Sequence, residues 1–170
     1  TRAIRDAFTD DIRRIVVDSA EAYEKIREFL RAVMPHHVRK VKLHEGNEPL
    51  FYHYGVEQEI EKMNSRTVSL PRGGSIVLEQ TEALVAIDVN SGRYRGRGDA
   101  EETAFQINMA AAPEIARQIR LRDLGGVLVI DFIDMEDPDH RAQVEKALWE
   151  ALKPDRSRLR MLKMSPFCIV

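Results

Sequence analysis

At 170 residues, 44% hydrophobic and 32% charged, the chain has the length and composition of one folded domain, or of one domain with part of another, and not those of a disordered or fibrous protein. A formal net charge of −2 excludes bulk basicity, so any site for a polyanion has to be a local patch. The lone cysteine, Cys168, excludes an internal disulfide framework, and no apolar run approaches the ~20 residues of a bilayer span.

Residues 2–8 pattern as a helix and 13–17 as a strand. Ser19 is a natural N-cap for a helix over 20–33, where Tyr23, Ile26, Phe29, Leu30 and Val33 fall at helical spacing and Pro35 supplies the stop. A short strand at 38–43, a loop at 45–49 and a helix at 56–63 follow. Strands at 66–70 and 75–79 flank the turn Pro71-Arg72-Gly73-Gly74. Next come a strand at 84–89, a loop at 91–98 holding Gly92, Gly96 and Gly98, and a long helix from Glu101 to about Arg122. On that helix Phe105, Met109, Ala112, Ile115, Ala116 and Ile119 share a face, Pro113 predicts a kink or a break, and Gly125-Gly126 is expected to close it. Residues 127–133 read as a nearly continuous apolar strand of the kind buried on both faces. Asp137-Pro138 opens a helix that runs to about Leu152 and stops before Pro154, and 158–163 begins a last strand. The alternation predicts a mixed α/β class, a layered sheet with flanking helices, with a soft boundary near residue 73. The first residue, Thr1, and the apolar end Phe167-Cys168-Ile169-Val170 read as the edges of an excised fragment. The acids that follow Arg2 and Arg5 do not suit a signal peptide, so a cytoplasmic protein is expected.

Two acids on apolar strands carry the chemistry. Asp88 lies in Ala86-Ile87-Asp88-Val89-Asn90 and Asp131 in Val129-Ile130-Asp131-Phe132-Ile133. Carboxylates among β-branched residues are expected to be desolvated at a cost that a bound cation can offset. Side chains two apart on a strand share a face, so Asp88 and Asn90 point the same way, near the strand end where open α/β sheets bind ligands. If the two strands are neighbours, Asp88 and Asp131 converge on one ion, and oxygen-only ligands favour a hard cation such as magnesium. The competing reading is a pair of structural acids serving as caps or salt-bridge partners. Asp134 is the weaker ligand candidate, expected on the opposite face from Asp131, and Glu136 and Asp137 read as first-turn helix residues.

Beside Asp88, Arg93-Tyr94-Arg95-Gly96-Arg97-Gly98 places Arg93, Arg95 and Arg97 on a glycine-spaced loop. Their guanidinium forks suit a phosphodiester backbone, although such a loop can equally be solvated surface. A second basic run, Lys153, Arg156, Arg158, Arg160 and Lys163, has the same two readings. The histidines show no zinc spacing with Cys168, and neither a nucleophile elbow nor a dinucleotide fingerprint is present.

The stretch Thr81-Glu82-Ala83-Leu84-Val85-Ala86-Ile87-Asp88-Val89-Asn90-Ser91 resembles the signature strand of the ribonuclease E/G family. So do Gly98-Asp99-Ala100-Glu101-Glu102-Thr103-Ala104-Phe105 followed by Asn108, and Glu114 to Gly126 running into Val129-Ile130-Asp131-Phe132-Ile133-Asp134-Met135. The likeness is dense over residues 66–136 and thinner at Pro49-Leu50-Phe51, at 70–76 and at Ser165-Pro166-Phe167. It implies that residues 1–19 end a preceding sensor region, 20–73 form part of an RNase H-like subdomain, and 74–170 form a truncated DNase I-like catalytic subdomain. It implies magnesium, with manganese as a substitute, on Asp88 and Asp131, Asn90 assisting, and hydrolysis of single-stranded RNA to leave a 5′-phosphate on the downstream product. It also implies a homo-oligomer and RNA-decay partners for a longer protein. The family's OB-fold domain and its Cys-Pro-x-Cys zinc link between subunits have no counterpart in these residues, and Cys168 does not stand in for that link. Two other functions remain in view: a non-catalytic RNA-binding or assembly module, and a magnesium phosphatase, which would want an enclosed pocket and further His or Asp ligands.

Overall fold

A computed structural model describes residues 2–71, 73–92, 99–155 and 157–170. The chain forms two compact units, Thr1–Ile60 and Glu61–Val170.

The first unit holds α1 (Arg2–Ala7), β1 (Ile15–Val17), α2 (Ala20–Val33), a 3-10 turn (Pro35–Lys40), β2 (Val41–Leu43) and α3 (Leu50–His53). Ser19 caps α2 as its chemistry predicts, with its hydroxyl accepting the Ala22 N–H at 3.2 Å. Ile26 and Leu30 of α2 pack on Val41 of β2, and β1 pairs with β2 in parallel. The strand expected from residue 38 starts only at Val41, because Pro35 initiates a 3-10 turn that absorbs Val38–Lys40.

α4 (Val56–Met63) leads into the second unit, whose core is one mixed four-stranded sheet in the order β3-β4-β5-β6. Its strands are β3 (Thr67–Ser69), β4 (Ser75–Gln80), β5 (Val85–Asn90) and β6 (Leu128–Asp131). β3–β4 and β4–β5 are antiparallel; β5–β6 is parallel, joined by the crossover helix α5 (Ala100–Leu121). α6 (Pro138–Leu152) packs on α5. One sheet face is sealed by these helices. Ile76, Leu78, Val85, Ile87, Val89 and Ile130 point into that core, against Ile107, Ala111, Ile115, Val144 and Leu148. The other face carries Asp88, Asn90 and Asp131, all exposed. The mixed α/β class with a layered sheet and flanking helices is therefore observed.

Four local expectations change. β6 is not buried on both faces: Val127 is 60% exposed, and the ladder ends at Asp131. The long helix does not break at Pro113; α5 runs through it, although Pro113 has no N–H to give the Met109 carbonyl. The turn after α5 is not closed by the glycine pair. Asp123 takes the left-handed position (φ 50°), while Leu124 N–H reaches the Ile119 carbonyl and Asp123 N–H reaches that of Arg120, the paired bonds of a Schellman ending. Finally, 158–163 forms no strand. The pairing comes instead from the last residues, where Ile130 and Val170 exchange two backbone hydrogen bonds and Phe132 N–H donates to the Cys168 carbonyl. This covers the outer edge of β6. Among the described residues no helix is long and apolar enough to cross a membrane.

Candidate functional site

The parallel ladder sets Asp88 directly opposite Asp131 at the last rung shared by β5 and β6. Opposed residues in adjacent strands point to the same face, so the two carboxylates stand side by side on the open face. Asn90, two residues along β5, turns back and donates its Nδ2 hydrogen to Asp88 Oδ2 at 2.6 Å. A shallow depression of about 330 Å³ is lined by Asp88, Asn90, Ser91, Asp131, Ile133 and Asp134. Asp134 therefore shares the site, contrary to its expected orientation. The chain leaves the ladder after Asp131, and strand alternation no longer governs where Asp134 points.

The expected full desolvation of the acids is also corrected. Their β-branched neighbours point into the core, leaving Asp88 and Asp131 in contact with water. Residual burial, then the like charges of Asp88 and Asp134, push the Asp131 carboxyl above its ordinary value. The cluster thus holds negative charge that a cation would relieve. Its donors are oxygens only, and its openness leaves room for water and a phosphate on a hard cation. Among the described residues no three His, Cys, Asp or Glu side chains stand close enough to enclose an ion by themselves. The fit is to a metal held by two carboxylates and completed by water or substrate, not to a closed cage.

Arg93, Arg95 and Arg97 lie outside the described residues, as does Arg156 of the second basic run. Gly74 has an evident role. At φ +82°, a Cβ there would stand 2.6 Å from the Asn90 carbonyl oxygen, so only glycine lets the β3–β4 turn lie against the end of β5.

Several residues that hold the site carry little sequence signal. Residues 132–137 have no regular structure, and other side chains take up their backbone groups. Asn108, fully buried on α5, clamps Ile133 from both sides: its Nδ2 donates to the Ile133 carbonyl (2.8 Å) and its Oδ1 accepts the Ile133 N–H (3.1 Å). Cys168 Sγ accepts the Met135 N–H at 3.2 Å, and burial pushes this thiol up in pKa. Arg141 donates to the Met135 and Glu136 carbonyls. Glu101 accepts from the N–H groups of Glu136 (2.8 Å) and Asp137 (3.2 Å) and from His140 Nδ1 (2.8 Å). Glu101, Phe105 and Asn108 recur at i, i+4 and i+7, one face of α5 turned to this loop. Phe105 stacks on the His140 ring at 4.2 Å, which explains why it is not in the central core with Ile115 and Ile119. The sequence hints at this only through Glu101 and Asn108, polar residues on the face of α5 that also carries Phe105.

The Glu101–His140 contact predicts a pH signature. The N–H of Glu136, then His140 itself, hold Glu101 below the usual carboxylate range, while Glu101 and then Asp137 raise His140. The His140 contribution is complete below the ordinary imidazole value and is lost as pH rises through the raised one. The Glu101 contribution is complete above the ordinary carboxylate value and is lost as pH falls through the lowered one. The Tm gap between wild type and His140→Gln is therefore expected to be widest at about pH 5–6, between the ordinary carboxylate and imidazole values, and to narrow as pH rises through the raised imidazole value. A gap constant with pH would assign the contact to stacking on Phe105 alone.

The model of the Ribonuclease E/G family matches residues 1–170. The chain belongs to this family. It is 51% identical to ribonuclease E of Haemophilus influenzae over 166 residues, covering 98% of the chain and 18% of that protein. To ribonuclease E of Escherichia coli K12 it is 50% identical over 167 residues, covering 98% and 16%. To ribonuclease G of Salmonella typhimurium it is 40% identical over 169 residues, covering 99% and 35%. The chain thus spans less than a fifth of the length of these two ribonuclease E relatives.

Proposed function

We propose that this chain is the catalytic-core segment of a divalent-metal-dependent endoribonuclease that hydrolyses phosphodiester bonds in single-stranded RNA, acting in RNA processing and decay in the cytoplasm. The observation that carries the reading is the β5–β6 register, which sets Asp88 beside Asp131 on an open face with Asn90 bonded to Asp88. Asp88 and Asp131 hold magnesium, or manganese in its place, and Asn90 orients Asp88. A metal bound there supplies an activated water and offsets charge developing on the phosphodiester. Asp134 is the third acid lining the depression and would be available to accept a hydrogen bond from a water there. The 74–170 segment is read as the DNase I-like catalytic part and 20–73 as part of an RNase H-like one, within a longer homo-oligomeric protein.

An open depression suits a polymer that must lie across the site, whereas a small-molecule phosphatase would want enclosure and further ligands. His140 does not supply one, because it does not line the depression at the acids. The module without turnover remains the competing reading, and calorimetry separates the two. Magnesium or manganese titrated into the wild type with a non-cleavable single-stranded RNA present is expected to bind, and Asp88→Asn and Asp131→Asn each to abolish that binding. Binding that survives both substitutions, or a folded wild type that binds no metal, would leave the acids structural.

Arg93, Arg95 and Arg97 are proposed as phosphate ligands. Replacing all three with alanine is expected to reduce the slope of log affinity against log salt by about 0.7 for each phosphate released. An unchanged slope removes that loop from the RNA path.

A further inference from the structure

Another concavity of the second unit shares no lining residue with the depression at the acids. It is a groove of about 790 Å³ between α6 and the segment 161–166, with Arg141, Glu145, Lys146 and Trp149 on one wall and Met161 and Lys163 on the other. Arg141, Glu145 and Trp149 recur every four residues along one side of α6. Trp149 is the only tryptophan in the chain and is 38% exposed, so its ring is open to a ligand. The one carboxylate in the groove is already committed: Glu145 accepts the Met164 N–H at 2.7 Å, which ties the segment to the helix and builds the groove.

The cations have no such commitment to acids. Among the described residues, Arg141, Lys146 and Lys163 have no carboxylate partner, and Arg141 bonds only backbone carbonyls. Glu150, one helical turn beyond Lys146, pairs instead with Lys153 at 2.6 Å. An exposed indole flanked by unneutralised cations is the chemistry that binds single-stranded nucleic acid, where stacking takes a base face and cations take phosphates. A duplex offers no free base face to such a ring.

We propose that this groove is a subsite for single-stranded RNA, with a base stacked on Trp149 and backbone phosphates on Lys146 and Lys163. The inference rests on the proposal that the chain handles RNA. The groove begins at Pro138, four residues after Asp134, and Arg141 grips the intervening loop. Trp149 lies roughly 16 Å along α6 from that start at 1.5 Å per residue. The subsite thus engages nucleotides a few positions from those at the acids, and it adds affinity without touching the scissile bond.

The test uses the lone tryptophan as its own reporter, with divalent metals chelated so that cleavage plays no part. A single-stranded oligoribonucleotide is expected to quench Trp149 emission saturably, while a duplex of the same sequence and poly-glutamate leave it unchanged. Affinity, followed by anisotropy of labelled RNA, is expected to fall roughly 5- to 100-fold in Trp149→Ala. The exposed pair Lys146→Gln and Lys163→Gln is expected to flatten the salt slope by about 1.4, the share of two phosphates. RNA that binds without altering tryptophan emission, with affinity unchanged in these variants, overturns the subsite while leaving the nuclease reading to its metal titration. Quenching by poly-glutamate at or below the RNA concentrations overturns it in favour of a docking site for an acidic protein segment. Absence of RNA binding by either readout overturns it as well.

Discussion

Asn108→Ala is expected to lower stability by about 2–4 kcal/mol, because it orphans both the N–H and the carbonyl of Ile133 in a buried setting. For a chain of this size that is a drop of roughly 10 °C in Tm. The second consequence is functional. Ile133 sits between Asp131 and Asp134, so releasing it frees the segment that carries two of the three acids. Metal affinity is expected to fall a further 10- to 100-fold, roughly as when groups supporting a metal ligand are removed. Leu148→Ala is the comparison: it truncates a fully buried α6 residue at about 2–5 kcal/mol without touching the loop. If both variants lose stability but neither loses metal affinity, Asn108 is a packing residue and no more.

Asp131→Asn is expected to move stability and function in opposite directions. Burial and the charges of Asp88 and Asp134 raise the Asp131 pKa, so the folded chain binds the proton more tightly than the unfolded one. Stability is therefore lost as pH climbs from the ordinary carboxylate value through the raised one, and at neutral pH the ionised group is a net cost. The amide removes that cost. Since the carboxyl reaches water, the gain is under about 1 kcal/mol, or roughly 2 °C in Tm without metal. Added magnesium is expected to raise the Tm of the wild type and leave Asp131→Asn unmoved, while cleavage falls at least about 100-fold. A variant destabilised at neutral pH without metal would contradict the charge argument, and one still stabilised by magnesium would place the ion elsewhere.

Sequence is most legible where the determinants are local. Ser19 and Asp137 each cap a helix through their own side chains, and α2, α4 and α6 begin and end close to their predicted positions, whereas the Asp99 cap of α5 emerges only in the structure. Strand alternation places Asp88 and Asn90 on one face, and that spacing survives folding. The partner of each strand is not written locally. The acids come together because β5 and β6 are parallel neighbours, a fact fixed by the α5 crossover between them. The same limit explains the last strand: the run at 158–163 alternates well enough, but the free edge of β6 is taken by Cys168–Val170. The place of Asp134 in the site and the clamp made by Asn108 escape a pattern-based reading, because both depend on a loop whose path follows no periodicity.

Sliding β6 by one residue against β5 would turn Asp131 into the core and expose Ile130 and Phe132, which are now 4% and 2% exposed. The alignment of the two acids is thus policed by apolar residues that pack into the core behind them. Acidic side chains that repel each other need not favour their own juxtaposition; the core does that for them. Substitutions on the open face are therefore compatible with the fold, whereas a change at Ile130 would disturb the alignment of two acids from which it faces away.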